Sequence, residues 1–88
     1  MEKLEETHEF PGPYTLKVIG ANDPAFVARV IAVVRKSLTM ESDPVYSERQ
    51  SGSGRHVSMT LELVPPSAES VATLYGQLQV VEGLAMLI

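Results

Sequence analysis

Residues 55–64, RHVSMTLELV, alternate between polar and apolar side chains more regularly than any other stretch of this chain. Side chains two positions apart lie on the same side of a β-strand, so the pattern predicts a strand with one buried and one exposed face. The inward set is Val57, Met59, Leu61 and Leu63, and the outward set is His56, Ser58, Thr60 and Glu62. A sheet that contains such a strand must be covered on one side and open on the other.

A second alternating stretch follows FPGP at residues 10–13. Each proline fixes its own φ and keeps the preceding residue out of the helical region, so the chain enters this stretch extended. The predicted inward residues are Tyr14, Leu16 and Val18, and the outward residues are Thr15, Lys17 and Ile19. We expect Gly20 to end this strand, because glycine gives the backbone freedom to turn.

The period then changes to that of a helix in residues 21–38, ANDPAFVARVIAVVRKSL. Asp23 is placed to cap the helix, and Pro24 suits its first position. The apolar residues that recur every three or four positions are Phe26, Val27, Val30, Ile31, Val34 and Leu38. This spacing predicts one buried stripe. Arg35 and Lys36 fall near the negative end of the helix dipole, which favours cations.

The remaining segments predict two further strands and one further helix. VYSERQ at residues 45–50 is weakly apolar, which favours an edge strand, and SGSG at 51–54 predicts a turn. Two prolines end the strand that follows, and Ser67 can cap a helix. The predicted buried residues of that helix are Val71, Leu74, Tyr75 and Leu78. VVEGLAMLI, at residues 80–88, predicts a last apolar strand.

This order of elements predicts an α+β fold of the ferredoxin-like βαββαβ type, a two-layer sandwich. Right-handed crossovers place both helices on one face of a four-stranded antiparallel sheet, with the first and third strands central. A chain of 88 residues suits one domain. We expect that domain to span residues 10–88 and the acidic residues 1–9 to be a flexible lead-in.

Composition restricts the classes of function. The chain has no cysteine, which rules out disulfides and thiolate metal sites and favours a reducing compartment. No apolar run approaches the ~20 residues of a membrane span, so we expect a cytoplasmic protein that does not bind membranes. The net charge is −4 and the basic residues are dispersed, which argues against nucleic-acid binding. His8 and His56 have no neighbouring ligands, so neither a metal site nor a cofactor is predicted.

Three segments resemble, in order and spacing, the YbeD-like family of small proteins of unknown function. They are EFPGPYTLKVIG, SGSGRHVSMTLEL and VATLYGQLQVVEGLAMLI, which together cover most of the chain from Glu9 to Ile88. The resemblance implies a ferredoxin-like fold similar to the ACT-type regulatory domains of amino-acid metabolism, and it implies no established activity. The SGSGRH turn is richer in glycine than the family's usual turn.

The strand-to-helix junction GANDP is the first candidate site, with Gly20, Asn22 and Asp23 as its residues. In ACT-like domains the loop after the first strand often borders an effector pocket, and N–H groups at a helix start can hold a carboxylate. A metabolite-sensing domain is therefore one hypothesis. The structural alternative is that Gly20 turns, Asn22 tolerates an unusual backbone conformation and Asp23 caps, and Asp23 would repel an anion.

Enzymatic hypotheses find little support. A small hydrolase of the acylphosphatase type would share this fold, but it needs an arginine in the first loop, and GANDPAF has none. The serines have no identifiable base as a partner. A phosphate-binding SGSGRH loop would normally lead into a helix, whereas this one leads into a strand. The sequence predicts a non-enzymatic regulatory or interaction module that resembles a stand-alone ACT-type domain.

The last strand raises the question of partners, because it falls at a sheet edge and carries one charge in nine residues. Exposed apolar edges normally carry charges or prolines that prevent pairing. If Leu84, Met86 and Ile88 face the helices, the open side is left with Ala85 and Leu87, near Ile19. The sequence thus predicts self-association, most simply a homodimer, through Ile19, Ala85 and Leu87. A different protein bound to the open face would contact Lys17, His56, Ser58, Thr60 and Glu62.

Overall fold

A computed structural model describes residues 11–88, so the predicted lead-in at residues 1–9 lies outside the described residues. The elements in chain order are β1 (Tyr14–Ala21), α1 (Pro24–Ser37), β2 (Val45–Gln50), β3 (His56–Leu63), α2 (Ala68–Leu78) and β4 (Leu84–Leu87). The strands form one sheet in the order β2-β3-β1-β4, and every pair of neighbours is antiparallel. The predicted α+β fold of ferredoxin-like topology is confirmed, including the central positions of the first and third strands.

The core lies between the inward face of the sheet and the two helices. The predicted alternation of β3 and the buried stripe of α1 both supply fully buried side chains. The core cluster comprises Leu16, Val18, Phe26, Val30, Val34, Val57, Met59, Leu61, Leu63, Leu74 and Leu78. Each large apolar side chain removed from water stabilises the fold by about 1.5–3 kcal/mol. The sheet and helices are therefore held together chiefly by apolar packing between β1, β3 and one face of each helix.

Both helices begin at the caps that the sequence predicts. Asp23 Oδ1 accepts a hydrogen bond from the Ala25 N–H at 2.9 Å. Ser67 Oγ accepts from the Ser70 N–H at 3.1 Å, and Ser70 Oγ accepts from the Ser67 N–H at 3.3 Å. This reciprocal pair is a capping box in which serine takes the place of the usual Glu or Gln. At the other end of α1, Arg35 pairs across 3.3 Å with the carboxylate of Asp43.

Gly20 has a different role from the one predicted. The strand does not end there but continues through Ala21, and Gly20 itself pairs with Val57 of β3. A Cβ placed on Gly20 would overlap the tip of the Phe26 ring and lie 2.6 Å from Cε1 and Cε2. Glycine is required because the ring packs directly on the strand backbone, not because the backbone turns.

The last strand is shorter than predicted. Only Leu84–Leu87 forms β4, and residues 79–83 form a turn. Within this turn the Val81 N–H donates to the Leu78 carbonyl at 3.0 Å, and Gly83 has a φ of +97°. That φ favours glycine, so Gly83 separates Val80 and Val81 from the strand. Val80 is 83% exposed, as befits a turn residue.

A β-bulge in β4 corrects the predicted faces. Gly20 pairs with Leu84, Ile19 pairs with Met86 and Val18 pairs with Leu87, so Ala85 is an extra residue in β4. The extra residue breaks the alternation, and side chains three apart then share a face. Leu84 and Leu87 both pack against the core, whereas Met86 lies on the outward side with Ile19. The predicted inward positions of Met86 and Ile88 and the predicted outward position of Leu87 are wrong, because the sequence argument assumed unbroken alternation.

We expect Gly20→Ala to lower the free energy of unfolding by roughly 1–3 kcal/mol, because the Phe26 ring or the strand must move. The matched control is Gly52→Ala, since a Cβ on Gly52 meets no atom within 4 Å. Denaturant unfolding followed by circular dichroism measures the free energy of unfolding of both variants. Equal stabilities of the two variants would contradict the close packing of Phe26 on Gly20.

The bulge predicts that the same substitution has unequal effects on stability at neighbouring positions. We expect Leu87→Lys to destabilise the fold by roughly 1–2 kcal/mol, because this side chain packs against the core. Met86 is 54% exposed, so Met86→Lys should change the free energy of unfolding by less than about 0.5 kcal/mol. Thermal and denaturant unfolding distinguish the two, and a larger loss in Met86→Lys would mean that β4 alternates without a bulge.

Candidate functional site

The three residues predicted at the first loop are engaged in the fold. The buried Gly20 accommodates the Phe26 ring. Asn22 Nδ2 donates to the Gly54 carbonyl at 2.9 Å, and the Asn22 N–H donates to the Arg55 carbonyl at 3.1 Å. The carboxylate of Asp23 caps α1. Asn22 therefore joins the start of α1 to the β2–β3 hairpin. This is a structural role, as in the alternative considered from the sequence, but the contact with the hairpin was not predicted.

A cavity of about 300 Å³ borders this loop. It is lined by Asn22, Asp23, Pro24, Val27, Glu48 and Gln50. Two of these side chains are carboxylates and none is basic, so the cavity disfavours the carboxylate ligands that a helix N-terminus would otherwise attract. The metabolite-sensing hypothesis at Gly20, Asn22 and Asp23 stays a prediction.

The described residues do not bring together the side chains that an acylphosphatase site or a metal site requires. Arg29 lies on the exposed side of α1, where its guanidinium donates to the Glu82 carbonyl at 3.3 Å. It therefore stabilises the turn before β4 and does not enter the first loop, as an acylphosphatase arginine would. Among residues 11–88 there is no group of three or more His, Asp or Glu side chains that could hold a metal. In the same residues, neither helix has the length and apolar content of a membrane span.

One pair of titratable groups has a perturbed environment. The hydroxyls of Tyr14 and Tyr75 lie 2.6 Å apart, on β1 and α2. Burial is the main cause that raises the pKa of Tyr75 above its usual range, and the hydrogen bond to Tyr14 and the charge of that residue act in the same direction. A phenol with a raised pKa stays protonated at neutral pH and makes a poor general base. The pair joins the sheet to α2. Tyr75, predicted to be buried, is partly exposed.

The sheet surface opposite the helices is here called the open face. Cross-strand partners share a face in an antiparallel sheet, so the register assigns its members. They are Thr15, Lys17, Ile19 and Ala21 of β1, Val45, Ser47 and Arg49 of β2, His56, Ser58, Thr60 and Glu62 of β3, and Met86 of β4. Ile88 joins them, because it exchanges backbone hydrogen bonds with Lys17 at 2.9 and 3.3 Å. Neither helix covers this surface.

A second cavity, of about 370 Å³, opens on the open face near the β2–β3 turn. It is lined by Ile19, Arg49, Gln50, Ser51, Gly52, His56, Val57 and Ser58. Arg49 and His56 supply its basic groups, and neither of these two side chains forms an ion pair or hydrogen bond within residues 11–88. Among residues 11–88 the open face has one carboxylate, that of Glu62, which lies toward the opposite end and accepts a hydrogen bond from Thr15 Oγ1 at 3.0 Å. The open face thus has a basic end and an acidic end.

Apolar side chains flank the charged ones on the open face. Met86 is 54% exposed and Ile88 is 60% exposed, and both lie beside Ile19 or Lys17 at the β4 edge. At the outer edge of β2, Val45 is 73% exposed. Exposed apolar side chains grouped with unpaired charges on one surface are typical of an interaction site.

The sequence placed most of this surface correctly. Lys17, His56, Ser58, Thr60, Glu62 and Ile19 all lie on the open face, and Ala85 is exposed at the bulge. Leu87 is turned inward, so it cannot contribute to a contact on this face. Val45, Arg49 and Met86 were missed. The first two could have been found by extending the alternation of β3 across the hairpin, whereas Met86 depends on the bulge.

Comparisons with known proteins define the relationships of the chain. A model of the family described as protein of unknown function (DUF493) matches residues 5–88. A UPF0250 protein of Haemophilus influenzae is 35% identical over 86 residues, which are 98% of this chain and 91% of that protein. A UPF0250 protein of Pasteurella multocida is 30% identical over 86 residues, with 98% and 96% covered.

Two solved structures are similar in fold. The C-terminal domain of the MgtC protein from Mycobacterium tuberculosis has a TM-score of 0.71 at 16% identity, covering 92% of this chain and 87% of that one. The ACT domain from GTP pyrophosphokinase of Chlorobium tepidum has a TM-score of 0.63 at 12% identity, covering 86% and 94%. At these identities the likeness concerns the fold, which is ACT-like.

The tyrosine pair predicts how stability depends on pH. Because the pKa of Tyr75 is raised in the folded protein, its contribution is fully present below the unfolded value of about 10 and is lost as the pH rises above it. We expect the free energy of unfolding to fall more steeply above pH ~10 in the wild type than in Tyr75→Phe. Denaturant unfolding at several alkaline pH values measures this difference, and parallel pH profiles would contradict it.

Proposed function

The chain belongs to the DUF493 family of proteins of unknown function, and from that premise we propose that it is a non-catalytic binding module that docks other protein surfaces on its open face. Its resemblance to the YbeD-like family is confirmed by this membership. The fold is ACT-like, so a regulatory role would be exercised through whatever protein is docked. A chain without cysteine suits the cytoplasm as the place where this happens.

The observation that carries the proposal is that the open face combines basic side chains, which have no partner among the described residues, with exposed apolar side chains. The side chains of Arg49 and His56 line a cavity and have no ion-pair or hydrogen-bond partner among the described residues, and Met86 and Ile88 are more than half exposed at the β4 edge of the same face. Met and Arg are both enriched in protein interfaces relative to the rest of the surface. The first loop offers no comparable surface, since its polar groups already form hydrogen bonds within the fold.

The edge of the sheet adds to this support. β4 is an edge strand whose four residues, Leu84–Leu87, include neither a charge nor a proline. The shortness of β4 and its bulge already limit strand pairing at this edge, so the support comes from the apolar side chains beside it. The adjoining surface of Ile19, Met86 and Ile88 extends the apolar area onto the open face. A partner that covers β4 and these three side chains would remove the strand edge and the apolar surface from water.

The proposal predicts which substitutions abolish binding. A tagged full-length chain is used to capture proteins from a lysate of the encoding organism, in which the untagged chain is also present. We expect Met86→Lys to reduce the captured protein at least about tenfold, because a charge enters the apolar surface formed by Ile19, Met86 and Ile88. The control Ala32→Lys, on the exposed side of α1, should retain it.

Two results would contradict the proposal. One is capture that is equally strong for the wild type, Met86→Lys and Ala32→Lys, which would place the binding surface elsewhere. The other is a wild-type chain that retains neither another protein nor its own untagged copy. Circular dichroism of both variants establishes that they are folded before capture is compared.

A further inference from the structure

We propose that the open face docks a second copy of this chain, face to face, about a two-fold axis that lies between the sheets and runs across the strands. This inference rests on the proposed function, because it identifies the partner for the same surface. It differs from the self-association predicted from the sequence, which used the outward position of Leu87. The contact proposed here uses both ends of the open face.

The cross-strand register separates the charges of the open face by several rows. Val45 pairs with Glu62, and Arg49 pairs with Ser58. Ser58 and Glu62 are four residues apart on β3, which at about 3.4 Å per residue places the rows roughly 14 Å apart. Arg49 and Glu62 of one chain are therefore too distant to form an ion pair with each other. A contact between these two charges requires two copies of the chain.

The two ends of the open face complement each other in chemistry. The cavity of about 370 Å³ has Ile19 among its lining residues and Arg49 and His56 as its basic groups. The opposite end presents Val45, which is 73% exposed, beside the carboxylate of Glu62. Val45 can fill the apolar part of such a cavity, and the carboxylate of Glu62 can contact its basic groups. The carboxylate can accept further hydrogen bonds, because its bond from Thr15 uses only part of its capacity.

A two-fold axis across the strands brings these unlike ends together. Such an axis reverses the strand direction in the second copy, so the end with Val45 and Glu62 lies over the end with Arg49 and His56. In an isologous interface every contact occurs twice, so both cavities are filled at once. An axis parallel to the strands would instead place Arg49 over the basic end of the second copy, and the like charges would repel.

The same axis also aligns the apolar corner. Ile88 lies in the row of Lys17, and Met86 lies in the next row with Ile19. With the axis between these rows, Met86 of each copy lies over Ile88 of the other. The long apolar stem of Lys17 then lies over Ile19 of the second copy while its ammonium reaches the rim. One face-to-face contact between the two copies therefore covers both the exposed apolar side chains and the charged side chains of the open face.

Charge reversal tests this geometry. The full-length chain is examined by sedimentation velocity and light scattering, and the wild type should have twice the mass of one chain. We expect Arg49→Glu, and separately Glu62→Arg, to raise the dissociation constant of the dimer by roughly 100-fold, because each change makes two contacts repulsive. The double variant Arg49→Glu with Glu62→Arg should restore the dimer, because the charges are exchanged and again opposite.

The outcomes separate this inference from the proposed function. Rescue in the double variant supports the face-to-face dimer, since the two residues of one chain lie too far apart to compensate within it. A wild type that stays monomeric at every concentration overturns the inference, as does a dimer that is unaffected by Arg49→Glu. If capture by the tagged chain is still lost in Met86→Lys, the binding function stands with a different partner. If capture is unaffected, both fail.

Discussion

The packing of the Phe26 ring on the backbone of Gly20 is the contact on which the arrangement of the other elements depends. It fixes the start of α1 against β1, and Gly83 borders the same ring, since a Cβ there would lie 3.1 Å from Cδ1. The ring is thus held between the last row of β1 and the turn before β4. Leu84 enters the sheet opposite Gly20, and the bulge begins at that row. The bulge that places Met86 on the outward side therefore lies directly beside the space that the Phe26 ring occupies.

Most of the fold could be predicted from the sequence, because local patterns determine it. Alternation in β3, the apolar stripe of α1 and the caps at Asp23 and Ser67 are each encoded within a few residues. The wrong predictions concern residues whose conformation or orientation is determined by contacts with residues distant in the sequence. Gly20 was expected to turn, since the sequence does not reveal that Phe26 occupies the space of its side chain. The faces of β4 were misassigned because a bulge depends on the neighbouring strand.

The candidate site shows the same division between local and distant information. The outward residues of β1 and β3 were identified from alternation, but their separation into a basic and an acidic end requires the register between strands. That register places Arg49 beside Ser58 and Val45 beside Glu62. In a chain with a net charge of −4, the two ends give this surface a polarity that composition does not reveal. Such polarity determines the direction in which a second surface can dock.

The hydrogen bonds of Asn22 have a dynamic consequence. Its side chain and its N–H both reach the β2–β3 turn, which borders the basic cavity, while the next residue caps α1. Local unfolding of the hairpin tip therefore removes support from the first turn of the helix, and the two segments form one cooperative unit. A molecule that immobilises the hairpin would slow amide exchange at the start of α1, although it makes no contact there.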